Sequence, residues 1–559
     1  MESGHERALA MKRVSGNVLT VVFAVCFWTS GISGQTRPTE PITVTVRTAS
    51  HGYLIPDGFV GLGFETASEL SNHYGVSGNF FTPSNIQLVT LFQNIGVKEI
   101  RVGGGTVDGS GRGGNCATPA PTHEDIDHLF QFAQAAGIKV LYSFRLLNPA
   151  DCDNPHLASD DASAASYIWE KYRSNLEYFS IGNEPDVRSF HSYPGQRMDP
   201  GIREDVAGTS GSAYSSYLAA WRRVANTILK SVPEATFAGP DTAVSATSSF
   251  TPDPSTGVSW TQKFIEDERK AGIVLEATQH HYVWGNPGNT TAQEAIDDML
   301  SNAWDTDTSI GTQTANHGGK VDFHPYPFVY SHILAPLATY GITYRMTEAN
   351  DCLHGVEGAS NGFAAALWSL DYMHWWAAHG MAGVNFHNNP WIPTDTVVPN
   401  PNPCSPKGCG NYTVTPKGYG MKAFELGSHG YAEPVAVSDP HHINLTAYAV
   451  GDAKDLAVTI INKTHSTTHD VTDAAVEIHT EGFASGSAEY MVLTDGDPGN
   501  AALMTATLGG ASIRNDALWQ GKWTSLGEIK NGVIAVIVQS TTAVIVRIHA
   551  AASKVKLGA

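Results

Sequence analysis

Two glutamates stand where a carboxylate can do acid–base chemistry. Glu184 closes the run Phe179-Ser-Ile-Gly-Asn183-Glu184-Pro185, and Glu348 closes Tyr344-Arg-Met-Thr-Glu348-Ala-Asn350. In each, a stretch with strand character gives way to loop residues. A carboxylate at such a junction is desolvated enough for its pKa to be tuned, yet open to a substrate. A pair of them meets the requirement for cleaving a glycosidic bond. One protonates the departing oxygen, and the other attacks the anomeric carbon or activates water. Each motif alone is a modest signal, and two rim glutamates in ordinary ion pairs are the competing reading. Their place in the fold raises the pair above it.

From residue 59 to about 390, short apolar runs alternate with segments of helical spacing. The strand-like runs are Phe59–Phe64, Lys98–Val102, Lys139–Leu146, Leu176–Gly182, Thr236–Gly239, Glu276–Val283, Thr343–Thr347 and Ala382–Phe386. Helical spacing recurs between them, as in Asn85–Asn94, Glu124–Ala136, Tyr214–Val232, Thr261–Ala271 and Phe363–Ala378. Gly96, Gly137 and Gly272 each follow a helical segment and precede a strand, as in the αβ loops of a βα repeat. Eight such units predict a (β/α)8 barrel, with a doubly wound open sheet as the alternative. Barrel enzymes carry their chemistry at the C-terminal ends of the strands. Glu184 then ends the fourth strand and Glu348 the seventh. Beyond about residue 420 the segments are short, β-rich and separated by turn residues, which predicts a β-sandwich. The early strand Ile42–Val46 is placed to pair into it. The expected organisation is a signal peptide over 1–34, an N-terminal strand region over 35–57, a catalytic barrel over 58–420 and a sandwich over 421–559.

Several motifs, in order along the barrel, resemble glycoside hydrolase family 79, the β-glucuronidase and heparanase family. They are Gly61-Leu-Gly-Phe-Glu65, Arg101-Val-Gly-Gly104, Ser180-Ile-Gly-Asn-Glu-Pro185, His280-His-Tyr282, Thr347-Glu-Ala-Asn350, the stretch Ser360–Asp371 and Lys417-Gly-Tyr419-Gly. The resemblance implies a retaining exo-β-glycosidase acting on β-glucuronides, with Glu184 as general acid/base and Glu348 as nucleophile. It implies that Asn183 holds the sugar's 2-hydroxyl and that Glu65 and Asp108 bind other hydroxyls. Tyr282 and Arg101, at neighbouring strand ends, are placed to hold the charge of Glu348, with rim packing or a structural ion pair as their plainer roles. The carboxylate of a glucuronide is expected to meet the stretch after the nucleophile, where His354 and Gly355 stand, and Tyr419. Asp351 adds an unfavourable charge there. A neutral β-glucoside or a disaccharide glycoside is therefore the alternative substrate, and a non-catalytic carbohydrate-binding protein the more distant one. The apolar barrel is expected to set the two carboxyl pKa values apart.

Composition excludes other classes. The chain has 559 residues, 42% hydrophobic and 16% charged, with a formal net charge of −20 and no basic stripe. Nucleic acid and sulfated glycans are poor partners for such a surface. Gly61-Leu-Gly63 lacks the third glycine of a dinucleotide fingerprint, and the Gly103–Gly114 loop lacks the Gly-Lys-[ST] of a phosphate cradle. There is no CxxC or HExxH motif, and His280, His281 and His387 are not spaced as a metal set; rim packing is their expected role. No cofactor and no metal are expected, only a small glycoside or oligosaccharide as partner. Lys12 and Arg13 precede the apolar run Val18–Trp28, too short to span a bilayer but suited to a signal peptide. Secretion without a membrane anchor follows, and it permits disulfides. Cys404 with Cys409 is the most economical pair, Cys116 with Cys152 a second, and Cys352 is left over. The sequence leaves oligomeric state open.

Overall fold

The computed structural model describes residues 40–551, apart from 73–77, 109–117, 150–156, 188–195, 199–212, 244–256, 285–287, 307–310, 314–320, 390–391, 400–403, 406–407, 410–411, 453 and 467–470. The expected signal peptide, Cys116, Cys152 and most of the Gly103–Gly114 loop lie outside the described residues.

Eight parallel strands close into a barrel: Val60–Glu65, Glu99–Gly103, Lys139–Phe144, Leu176–Ile181, Phe237–Thr242, Val274–Trp284, Thr343–Cys352 and Gly383–His387. Each pairs with the next, and the eighth returns to the first, with Val384 opposite Val60. The connecting helices form for local reasons. Ile86–Ile95 is capped by the Asn85 side chain and stopped by Gly96 at φ 87°, where an L side chain would be strained. His123–Ala136 opens on a capping box between Thr122 and Asp125. The helix Phe363–Ala378 is mostly apolar and buried along nearly its whole length, and its Asp371 carboxylate is met by Lys463 at 2.9 Å. Trp368, Trp375 and Trp376 are thereby core residues. Trp284 is buried as well, and Trp391 lies outside the described residues.

A second sheet of mostly antiparallel strands follows the barrel, from Tyr431–Glu433 to Thr542–Ala550, with its own apolar core. The early strand Ile42–Arg47 lies in this sheet, parallel to Ala474–Glu481 and antiparallel to Val435–Ser438. Residues 40–551 fall within one compact unit. Among the described residues no helix is long and apolar enough to cross a membrane. Cys404 stands opposite Cys409 in a two-residue ladder, and Cys352 is a buried free thiol.

The barrel interior corrects one expectation. Its lining is charged, not apolar. Arg345 in the seventh strand meets Glu276 at 3.1 Å and Glu99 at 3.3 Å, and donates to Asn385. One layer up, Arg101 meets Glu348 and Asp241. Gly383 and Gly103 make room: a Cβ at Gly383 would collide with the Arg345 guanidinium, and one at Gly103 with Arg101 and Ser143.

Candidate active site

Glu348 sits within the seventh strand, which runs four residues past it to Cys352. Its pairing with the sixth strand shifts register between Met346 and Glu348, and such an irregularity re-aims a side chain. Its carboxylate is buried and well furnished with donors. The Tyr282 hydroxyl donates to Oε1 at 2.6 Å, and Arg101 Nη1 donates to Oε2 at 2.9 Å. His387 Nδ1 lies 3.8 Å and His280 Nδ1 4.0 Å from Oε2. Burial alone would raise its pKa. The charges of His387, His280 and Arg101, with the Tyr282 hydroxyl, overcome that and hold it well below the usual carboxylate range. Burial pushes the Tyr282 pKa up, and Glu348 pushes it further, so Tyr282 remains a donor.

Glu184 directly follows Asn183 at the end of the fourth strand. Its backbone is left-handed, φ 45°, a strained conformation for a residue with a Cβ. Its N–H donates to the carbonyl of Asp241 at 2.9 Å, which helps fix that turn. Its side chain is more open than that of Glu348, at 15% against 8% exposure. His280 Nδ1 lies 3.4 Å from Glu184 Oε1. One oxygen of Glu184, one of Glu348 and one nitrogen of His280 all lie within 4.8 Å of one another. Burial works against charging His280, but the facing carboxylates, Glu348 first, raise its pKa.

Asp241 ties these groups together. It is fully buried at the end of the fifth strand. Its carboxylate accepts from Ser180 at 2.7 Å, from Thr347 and from Arg101 at 3.4 Å, and lies 3.8 Å from His280 Nε2. Burial would raise its pKa, but Arg101 and His280 bring it below the ordinary value. Arg101 Nη2 also donates to Asn183 Oδ1 at 2.7 Å, and among the described residues the Asn183 amide nitrogen has no hydrogen-bond partner. That N–H2 group is fixed in orientation and available to a hydroxyl.

The remaining expected residues divide. Glu65 borders the centre, with Oε1 3.9 Å from His387 Nε2. Its carboxylate also accepts from the backbone N–H groups of Gly105 and Thr106 and from the Thr106 hydroxyl, so it braces the loop after the second strand. Asp108 is buried and accepts from the Leu146 N–H at 2.8 Å, a brace between loops. His354 is exposed in a left-handed turn, φ 66°, and Gly355 follows at φ 74° against Thr394. The Tyr419 hydroxyl accepts from the Ile513 N–H at 2.9 Å, where the helix Pro416–Gly427 packs on the second domain. Asp351 needs correction. It is buried, accepts from the Ser360 hydroxyl, and lies 3.6 Å from Lys417 Nζ, so its charge is neutralised internally.

The reading of the histidines as rim packing holds for one of three. His281 bonds to Tyr372 and to the His324 carbonyl, away from the centre. His280 and His387 face Glu348 instead. Period-two alternation puts His280 and Tyr282 on one face of the sixth strand, and that was the available signal. Asp241 was missed because the fifth strand runs to Thr242, past the expected end at Gly239.

Fold and site together define a (β/α)8 barrel with a glutamate pair at its fourth and seventh strands. No protein-family model matches the chain. A curated β-glucuronidase of Aspergillus niger is 26% identical over 234 residues, which span 40% of this chain and only 37% of that protein. Three solved structures share the fold. A 4-O-α-L-rhamnosyl-β-D-glucuronidase from Fusarium oxysporum 12S superposes with a TM-score of 0.60 at 16% identity, over 90% of this chain and 99% of its own. The family 51 arabinofuranosidase of Xanthomonas axonopodis pv. citri gives 0.56 at 13%, over 91% and 100%. The family 44 xyloglucanase of Paenibacillus polymyxa gives 0.55 at 11%, over 92% and 100%. These findings agree with the motif resemblance: the fold is shared with solved glycoside hydrolases, and part of the chain is similar in sequence to a β-glucuronidase.

Proposed function

We propose that this chain is a secreted, retaining exo-β-glycosidase that hydrolyses β-glucuronides by double displacement. The carrying observation is the pair itself. Oxygens of Glu184 and Glu348 lie within 4.8 Å, near the separation of about 5–5.5 Å used by retaining enzymes and well short of the inverting range. Glu348, buried and held ionised, is the nucleophile. Glu184, more open and beside His280, is the acid/base.

In the first step Glu184 gives its proton to the glycosidic oxygen while Glu348 attacks the anomeric carbon. The bond to the aglycone breaks, leaving a glycosyl ester on Glu348. Glu184, now a carboxylate, takes a proton from water, whose oxygen attacks the same carbon and releases Glu348. Arg101 and Tyr282 position the nucleophile, and the free Asn183 amide meets the 2-hydroxyl, where bonding strengthens in the transition state. The β-glucuronide follows from the curated relative and the rhamnosyl-glucuronidase fold neighbour.

Glu184→Gln and Glu348→Gln should each cut turnover of an aryl glycoside by at least about 10³-fold with the fold kept. Near-wild-type turnover in either variant would remove that residue from its role. Comparing aryl β-glucuronide with aryl β-glucoside decides the substrate: a strong glucoside preference ends the glucuronidase reading and leaves the mechanism standing. Glu184, His280 and Glu348 also have donor types that suit a divalent cation. Activity abolished by EDTA and restored by zinc would replace double displacement with metal-assisted hydrolysis.

A further inference from the structure

We propose that Lys417, outside the barrel strands and out of reach of substrate, is a positioning residue for the nucleophile's surroundings; the inference rests on the glycosidase reading above. Lys417 lies in the first turn of the helix Pro416–Gly427 and is fully buried. Its ammonium donates to Asn350 Oδ1 and to the Thr394 carbonyl, both at 2.6 Å, with Asp351 Oδ1 at 3.6 Å. Asn350, two residues beyond Glu348, passes the constraint on: its Nδ2 donates to the His387 carbonyl at 3.0 Å. The His387 ring lies between Glu348 and Glu65, 3.8 Å and 3.9 Å away, and among the described residues its Nδ1 has no hydrogen-bond partner. With no bond of its own on Nδ1, the ring depends on its backbone for placement. Lys417 sets that backbone through Asn350, so one ammonium ties the exit of the seventh strand to the end of the eighth.

A buried lysine could instead serve stability alone, and the two roles separate by experiment. Lys417→Met by itself strands Asp351 as a buried charge and can fail to fold. The pair Lys417→Met with Asp351→Asn removes both charges, and Asp351→Asn alone, in which the ammonium keeps Asn350 and the Thr394 carbonyl, should lose less kcat than the pair. On an aryl glycoside cleaved by wild type, the pair should lose at least about tenfold in kcat with KM within about twofold. Asn350→Ala should reproduce that loss, and all three substitutions together should lose no more than either. A crystal structure of the charge-neutral pair should show the His387 ring displaced by about 1 Å. Wild-type kcat in the folded pair, additive losses with Asn350→Ala, or an unmoved His387 would each overturn the inference. If wild type cleaves no glycoside, the functional reading fails, and the place of His387 in the variant still decides the positioning role.

Discussion

Glu348 is a buried carboxylate that keeps its charge because four groups face it, and the sequence supplied two of them. Arg101 and Tyr282 were legible because each ends a strand beside a glutamate-bearing neighbour, and both donate as expected. His280 and His387 were not, because a histidine in a strand is as readily a satisfied core residue, which His281 is. The Tyr282 hydroxyl gives a prediction with a definite sign. A folded-state pKa held below its ordinary value rises when a donor is removed. In the proposed double displacement Glu348 attacks only as the anion, so the acidic limb of kcat/KM would belong to its protonation. Tyr282→Phe should lower kcat/KM by about 10- to 100-fold, the range of one hydrogen bond to a charged group, and should move that limb toward higher pH. A limb moved to lower pH would refute the role given to Tyr282. In the same site, Asp351 shows why charge cannot be read from sequence alone. A carboxylate that looked hostile to an anionic substrate is cancelled by Lys417, 66 positions on in the sequence.

At the scale of elements, the alternation of strands and helices carries the barrel, and glycines punctuate it. Gly96, Gly137 and Gly272 all adopt the left-handed backbone that ends a helix. Strand ends were less legible, and they decided what was seen at the site. The seventh strand continues past Glu348 through a register shift, a feature no residue pattern announces. The fifth runs three residues past its expected end and so delivers Asp241 to the centre. Asp241 fixes the Glu184 backbone through its carbonyl and the Arg101 guanidinium, which holds Glu348, through its carboxylate. Asp241→Asn should therefore reduce kcat about 100-fold, as a misplacement of about 1 Å does. It should also destabilise the protein, since breaking a buried pair from one side costs about 3–5 kcal/mol. Activity assays beside thermal unfolding test both. A variant that loses stability but keeps kcat would reduce Asp241 to a structural ion.

For the whole molecule, the interior of the barrel is organised as layers of charge, and its lower layer makes stability depend on pH. Glu99, Glu276 and Arg345 are buried together, two carboxylates sharing one guanidinium. Burial pushes the Glu99 pKa up from 4.5 to about 8, with Arg345 opposing and Glu276 reinforcing the rise. The folded protein then holds a proton that the unfolded chain gives up near its ordinary pKa. Where the folded pKa is the higher one, the contribution to stability is complete below the unfolded value and disappears as pH climbs through the folded value. Glu99 should thus cost the fold stability progressively between about pH 4.5 and pH 8. His281 and His374 act in the opposite sense and at lower pH, because burial lowers both to about 3. Their effect makes acid destabilising and is spent by about pH 6.5. Comparing wild type with Glu99→Gln cancels them, since both proteins keep both histidines. The glutamine keeps the neutral, hydrogen-bonding form at every pH. The two proteins should unfold at similar temperatures near pH 5, and the variant should become the more stable by a few kcal/mol near pH 8. Parallel stability curves across that window would mean that Glu99 is ionised in the folded barrel, with Arg345 sufficient to hold both carboxylates charged.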